Sequence, residues 1–336
     1  MKILFELSKE HPTLPLSEVK SCLNAEGIGF NELNRGNGFL EIEVKADIDK
    51  IKRVGERMAL SFFIDEALYS SPPNLEELLS RAVKVEINGT FRVRCWDRRT
   101  NKDATTSLDV ERELGGIYAH SGKVDLFNPD TEIRVMLTDD IWYVGKLIKK
   151  IDRGSFENRK VQKRPFFSPI SLHPRLARTM VNLSLIKRNE FLLDPFCGTG
   201  GILLEAGLIG AKVIGSDLQQ TMVDGCRRTL DAYGIEDYNL FSCDVGEIPS
   251  KVGKVDAVVT DFPYGRAATT NRESVKSLYQ RGFESISTVL KDKKRAVVTL
   301  PTENAVELGK DTLNIIEVHP YRVHRSLTRY IAVYER

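Results

Sequence analysis

An apolar run, Phe191-Leu192-Leu193, leads into Asp194-Pro195-Phe196-Cys197-Gly198-Thr199-Gly200-Gly201, and a helical stretch follows from Ile202 to Leu208. A buried strand, a glycine-rich turn and a helix in immediate succession leave few folds open. Glycines let the backbone turn tightly and approach a ligand closely, and the start of the helix presents unpaired amides. Further apolar runs, Lys212 to Ser216, Ala257 to Thr260 and Ala296 to Leu300, alternate with helical patterns from about residue 171 onward. Runs that are apolar on both faces suit parallel strands covered by helices. The rhythm predicts an α/β fold for residues 170–336, a doubly wound, Rossmann-like domain closed by an antiparallel strand pair within Val318 to Glu335.

The chain has 336 residues, enough for about two domains. Residues 1–70 read as a small α+β module with strands at Lys2 to Leu7 and Gly38 to Val44 and helices at Pro15 to Glu26 and Asp49 to Gly55. Ser70-Ser71-Pro72-Pro73 marks a boundary, and residues 71–152 form a second module. It holds a helix from Leu75 to Val83, a strand from Thr90 to Trp96, and a helix opened by Thr106 and Asp109 at capping-box spacing and ended by Gly115-Gly116. Strands at Glu132 to Leu137 and Ile141 to Ile148 complete it, and the charged, proline-containing residues 153–169 read as an inter-domain linker.

The 49 basic and 47 acidic side chains nearly cancel, so any basic face must come from local clustering. Five cysteines with no Cys-x-x-Cys pair argue against a disulfide framework and against zinc, and no metal is expected. The first ten residues are charged, and nothing approaches the roughly 18 apolar residues of a membrane span. The expectation is a reduced, soluble, cytoplasmic monomer.

A dinucleotide fingerprint would need a glycine where Leu203 stands. An acid at the strand end, Asp194, instead suits a ligand with an ammonium group, such as the methionine part of S-adenosylmethionine. About twenty residues on, the next strand ends in Asp217, placed to accept hydrogen bonds from ribose hydroxyls. Asp244, after the run Asn239 to Ser242, is placed to accept from the adenine amine.

Val258-Val259-Thr260 then runs into Asp261-Phe262-Pro263-Tyr264-Gly265, about sixty residues past the glycine turn. The place and the residues resemble the Asp/Asn-Pro-Pro-Tyr of nucleic-acid amino-methyltransferases, with Phe262 in place of the first proline. An exocyclic amine is conjugated with its ring, so its lone pair is a poor nucleophile. Hydrogen bonds to the Asp261 carboxylate and to a backbone carbonyl turn that lone pair toward a methyl donor, and Tyr264 stacks on the base.

Arg92, Arg94, Arg98 and Arg99 crowd one strand, where alternation sets Arg92 and Arg94 opposite Phe91, Val93 and Cys95, a basic face for phosphates. Leu114-Gly115-Gly116-Ile117, Lys123 to Asp130 and Glu132 to Leu137 resemble a THUMP domain, which implies binding at the acceptor end of tRNA. Lys149, Lys150, Arg153, Lys163 and Arg164 add a second basic cluster. With these pieces together, the chain resembles the archaeal tRNA guanine-10 N2-methyltransferase family: a ferredoxin-like piece, a THUMP domain, a linker and a Rossmann-like methyltransferase domain. His173-Pro174-Arg175-Leu176-Ala177 and Arg322 to Arg329 extend the likeness.

The resemblance implies that Asp261, Phe262, Pro263 and Tyr264 form the catalytic tetrapeptide. It likewise implies that Asp194, Phe196, Gly198, Thr199, Gly200, Asp217, Leu218, Asp244 and Val245 contact S-adenosylmethionine. One or two methyl groups on N2 of guanine 10 is the implied product. Guanine 6 of tRNA, ribosomal-RNA guanine or adenine N6, and an RNA-binding module without turnover remain as alternatives.

Overall fold

A computed structural model describes residues 1–82, 87, 89–102, 104–168, 171–263, 274–324 and 327–336. The chain divides into two compact units. Unit 1 comprises Met1–Lys9, Ile28–Gly55 and Ser61–Ile151, and unit 2 comprises Glu10–Gly27, Glu56–Leu60 and Asp152–Arg336.

Unit 1 is built on one sheet of β1 (Lys2–Leu7), β2 (Phe30–Gly36), β3 (Phe39–Val44), β4 (Ser61–Ser71), β5 (Thr90–Asp97), β6 (Lys123–Val124), β7 (Thr131–Leu137) and β8 (Trp142–Lys150), in the order β2-β3-β1-β4-β8-β7-β5-β6. The expected boundary near residue 70 therefore falls inside a sheet. β4 pairs with β1 on one side and, antiparallel, with β8 on the other, in a register that sets Ser71 against Trp142. Helix Ser107–Tyr118 starts with the expected capping box, Thr106 and Asp109 each bonding the other's backbone. It runs through Gly115-Gly116 rather than ending there, because Val110, Leu114 and Tyr118 hold one face in the core.

Unit 2 carries β9 (Phe191–Asp194), β10 (Lys212–Asp217), β11 (Tyr238–Ser242), β12 (Val255–Asp261), β13 (Leu290–Leu300), β14 (Asn314–His324) and β15 (Leu327–Glu335). Their order is β11-β10-β9-β12-β13-β15-β14. β9 to β13 pair in parallel, and β15 runs antiparallel to both β13 and β14. Leu192, Leu193, Val258, Val259, Val297 and Val298 are fully buried, as strands covered on both faces require. This is the expected doubly wound fold with its terminal antiparallel pair. The strand order turns between β9 and β12, so a crevice opens beyond their carboxyl ends.

Two pieces of the N-terminal sequence belong to unit 2. Helix Leu14–Ala25 buries Glu18 completely, and its carboxylate accepts hydrogen bonds from Ala59 N (3.1 Å), Leu60 N (2.7 Å), Thr179 Oγ1 (3.1 Å) and Asn182 Nδ2 (2.9 Å). Arg57 bonds Glu26 and the Ile186 carbonyl. Residues 153–168 are likewise folded onto unit 2 rather than a free linker. Phe156 and Val161 are buried, and Arg159 forks onto the buried Glu205 carboxylate at 2.8 and 3.2 Å.

Candidate active site

The carboxyl ends of β11, β10, β9 and β12 bring four acids into one row: Asp244, Asp217, Asp194 and Asp261. Register sets Gly215 beside Asp194 and Val258 beside Leu193, so the three central acids are close enough for their charges to act on one another. Asp194 is buried. Its Oδ1 accepts from Thr260 Oγ1 at 2.6 Å and from Phe196 N at 3.2 Å. Burial, with the nearby charges of Asp261 and Asp217, pushes its carboxyl up to about 7. A buried acid of this kind, with like charges beside it, is an electrostatic seat for a cation.

The turn after Asp194 is shaped by its glycines. Gly198 and Gly200 have φ of 48° and 79°, and a Cβ at Gly200 would lie 2.6 Å from Cys226 Sγ. A Cβ at Gly198 would meet nothing within 4 Å, so open space lies beside the turn. Asp217 Oδ2 accepts from Gly198 N at 3.1 Å while its Oδ1 accepts from Gln219 N at 2.9 Å, which ties the turn to the end of β10. Burial raises the Asp217 carboxyl too. Thr199 is buried with its hydroxyl 3.1 Å from Ser171 Oγ, Leu218 is exposed, and Val245 is buried. Asp244 caps a short 3-10 turn through Gly246 N (2.8 Å) and pairs with Arg281, which holds its carboxyl below the usual range. The glycine turn, the open space and the acids fit S-adenosylmethionine, whose sulfonium and ammonium groups are cationic.

Asp261 ends β12. Its Oδ1 accepts from Thr299 Oγ1, and Arg329 Nη1 lies 3.8 Å from Oδ2. Burial raises its carboxyl, against the pull of Arg329 and Thr299. Phe262 is fully buried, its ring centroid 5.0 Å from Phe196, 5.1 Å from Tyr279 and 5.3 Å from Phe283. Aromatic packing thus restrains the position where a proline would fix φ, and through Phe196 it joins the tetrapeptide to the glycine turn. Tyr279 Oη donates to the Pro263 carbonyl at 3.0 Å. Tyr264 lies outside the described residues. Thr260, Thr299, Arg281, Tyr279 and Arg329 were not expected from the sequence, although Thr260 and Arg329 stand inside segments already singled out.

The arginines in and just after β5 do not form a free basic face. Arg92 forks onto Glu132, Arg94 lies 3.4 Å from Glu111, and Arg98 pairs with Glu6. Arg99 is buried, bonded to Asp97 and the Thr105 carbonyl and stacked over Trp142. Each of these charges is already answered by an acid. Arg153 pairs with Glu10, and Arg164 is buried against Gly201 with its Nε on the Arg159 carbonyl. Lys150 and Lys163 are exposed, and Lys149 is half-buried. His173 caps helix Pro174–Leu183 by accepting from Arg175 N, which makes it a structural residue.

Residues 161–331 match the RMKL-like methyltransferase domain, and residues 69–145 match the THUMP domain. The chain is 37% identical to a tRNA (guanine(10)-N2)-dimethyltransferase of Methanothermobacter thermautotrophicus over 345 residues, covering all of both chains. It is 38% identical to the enzyme of the same name from Pyrococcus abyssi, over 74% of this chain and 75% of that one. The crystal structure of TrmN from Thermus thermophilus shares the fold, with a TM-score of 0.56 at 19% identity over the whole of both chains. Among the described residues no helix is long and apolar enough to cross a membrane. The chain is a methyltransferase and belongs to the THUMP-containing tRNA (guanine(10)-N2)-dimethyltransferase family.

Proposed function

We propose that this enzyme methylates N2 of guanine 10 in tRNA, first to N2-methylguanosine and then to N2,N2-dimethylguanosine, in the manner named for its archaeal relatives. The observation that carries the reading is Asp261, a half-buried acid that ends β12 within the acid row and heads Asp-Phe-Pro-Tyr. Asp194, Phe196, Gly198, Thr199 and Gly200 are the proposed holders of the methionine part of S-adenosylmethionine, Asp217 and Leu218 of its ribose, and Asp244 and Val245 of its adenine. S-adenosylmethionine supplies an electrophilic methyl group on a thioether leaving group.

Asp261 accepts one hydrogen of the guanine amine and the Phe262 carbonyl the other, which draws the nitrogen lone pair out of conjugation. The Pro263 carbonyl is already taken by Tyr279. As the new C–N bond forms, the nitrogen sheds a proton, and Asp261 is the base placed to take it. Tyr264 is the proposed stacking partner of the base. Lys149 and Lys150 in unit 1 and Lys163 in unit 2 are the proposed phosphate contacts, and they hold the RNA without reading sequence.

Incubation with labelled S-adenosylmethionine and an unmodified tRNA transcript, followed by nucleoside identification and mapping, tests the reading. The expected product is N2-methylated guanosine at position 10. Label at guanine 6 or in N6-methyladenosine overturns the assignment of site or base.

A further inference from the structure

Asp261, Thr299 and Arg329 lie on one face of the sheet of unit 2. Asp261 stands opposite Thr299 across the parallel pair β12–β13, and Thr299 stands opposite Ile331 across β13–β15. Arg329 is two residues from Ile331, so strand alternation returns it to that same face. There its Nη1 lies 3.8 Å from Asp261 Oδ2, while Thr299 donates to Oδ1. Each carboxylate oxygen therefore meets one group of the protein and keeps lone-pair capacity for a substrate. Arg329 is itself buried, which strengthens its hold on the charge.

An ionised carboxylate only accepts. It fits a base edge with two adjacent donors and opposes an edge that places a lone pair beside the amine. Guanine carries the first kind, N1–H next to the N2 amine, and adenine the second, N1 next to the N6 amine. A neutral amide or a protonated carboxyl, with one donor and one acceptor, fits the second. We propose that Arg329 is a positioning residue for base choice: by holding Asp261 as a two-acceptor carboxylate, it makes the pocket read N1–H of guanine together with the amine that is methylated.

The inference rests on Asp261 facing the target amine, as proposed above, and the test separates the two claims. The full-length enzyme is given tRNA carrying guanine or 2-aminopurine at position 10, with S-adenosylmethionine saturating. 2-Aminopurine keeps the exocyclic amine but offers a bare acceptor at N1. The wild type is expected to methylate guanine at least 50-fold faster. Asp261→Asn and Arg329→Met are both expected to narrow that ratio to within about 5-fold, and Arg329→Lys to restore most of it. A merely structural loss would lower both rates and leave the ratio alone.

Equal rates on the two bases in the wild type, or an unchanged ratio in an Arg329→Met variant that still binds S-adenosylmethionine, overturn the inference while leaving guanine methylation standing. Absence of methylation on guanine itself overturns the earlier reading instead. Should Arg329→Met fail to bind S-adenosylmethionine, Thr299→Val supplies the second variant, with the ratio again expected to fall.

Discussion

Glu6 of unit 1 and Asp194 of unit 2 are both almost wholly buried acids on sheets, yet they are answered in opposite ways. Glu6 pairs with Arg98 and, at 2.5 Å, with Arg134, whose guanidinium is sandwiched between Phe63 and Trp96 and also bonds Asp65. Asp194 has a threonine hydroxyl, a backbone amide and, among the described residues, no ion pair; its charged neighbours are other acids. The first arrangement is complete without a ligand. The second leaves a countercharge to be brought by one. Stability and function therefore separate at the level of single carboxylates, and removing each acid gives opposite results.

Glu6→Ala leaves Arg134 buried without its main partner, which costs about 3–5 kcal/mol. The two tryptophans, Trp96 and Trp142, both lie in unit 1, so urea unfolding followed by tryptophan fluorescence reports that loss directly. An unchanged midpoint would break the comparison on the stability side. Asp194→Asn should do the reverse. The carboxyl of Asp194 stands at about 7 in the fold against about 3.8 when unfolded, so its ionisation penalises the fold increasingly as pH rises from 4 to 7. At pH 8 the asparagine variant is expected to be more stable by up to about 4 kcal/mol, and to match the wild type below pH 4, measured by circular dichroism on the cofactor-free protein.

The same raised carboxyl sets a pH dependence for binding. A cationic ligand favours ionised Asp194, so affinity for S-adenosylmethionine should climb roughly tenfold between pH 6 and 7.5, with proton release on binding below pH 7. It should fall again as the ligand's α-amino group loses its proton near about 8. Titration calorimetry in buffers of different ionisation enthalpy measures both; a flat profile argues that Asp194 does not meet the cation. The smallest effects belong to the surface. Lys150→Ala should weaken tRNA binding by about threefold and lower the salt dependence by about one ion, whereas Arg99→Ala should leave that slope unchanged.

Much of the unit 2 fold is legible because buried parallel strands announce themselves as apolar runs, and because the acids of the proposed site stand at or just past the ends of those runs. Asp194, Asp217, Asp244 and Asp261 follow their strands in sequence, so chain order and strand order together place them. Partners across a sheet carry no such signal. Arg92 meets Glu132 forty positions on, and Arg98 meets Glu6 ninety-two positions back, so arginines that look free along the chain are paired in space. Helix Leu14–Ala25 likewise reads as part of its neighbours in sequence, while the donors that satisfy Glu18 come from residues 59, 60, 179 and 182. A fragment beginning at residue 166 would lose Glu18 and the amides of residues 59 and 60, and with them this buried network.

The central claim is that Asp194 serves the cofactor and Asp261 serves the base. Binding of S-adenosylmethionine and single-turnover methylation of tRNA, measured side by side for Asp194→Ala and Asp261→Ala, test it most directly. The expected result is that Asp261→Ala binds within a few-fold of the wild type and methylates at least a thousandfold more slowly, while Asp194→Ala loses binding first. Loss of binding in Asp261→Ala, or undiminished binding in Asp194→Ala, contradicts the division of labour.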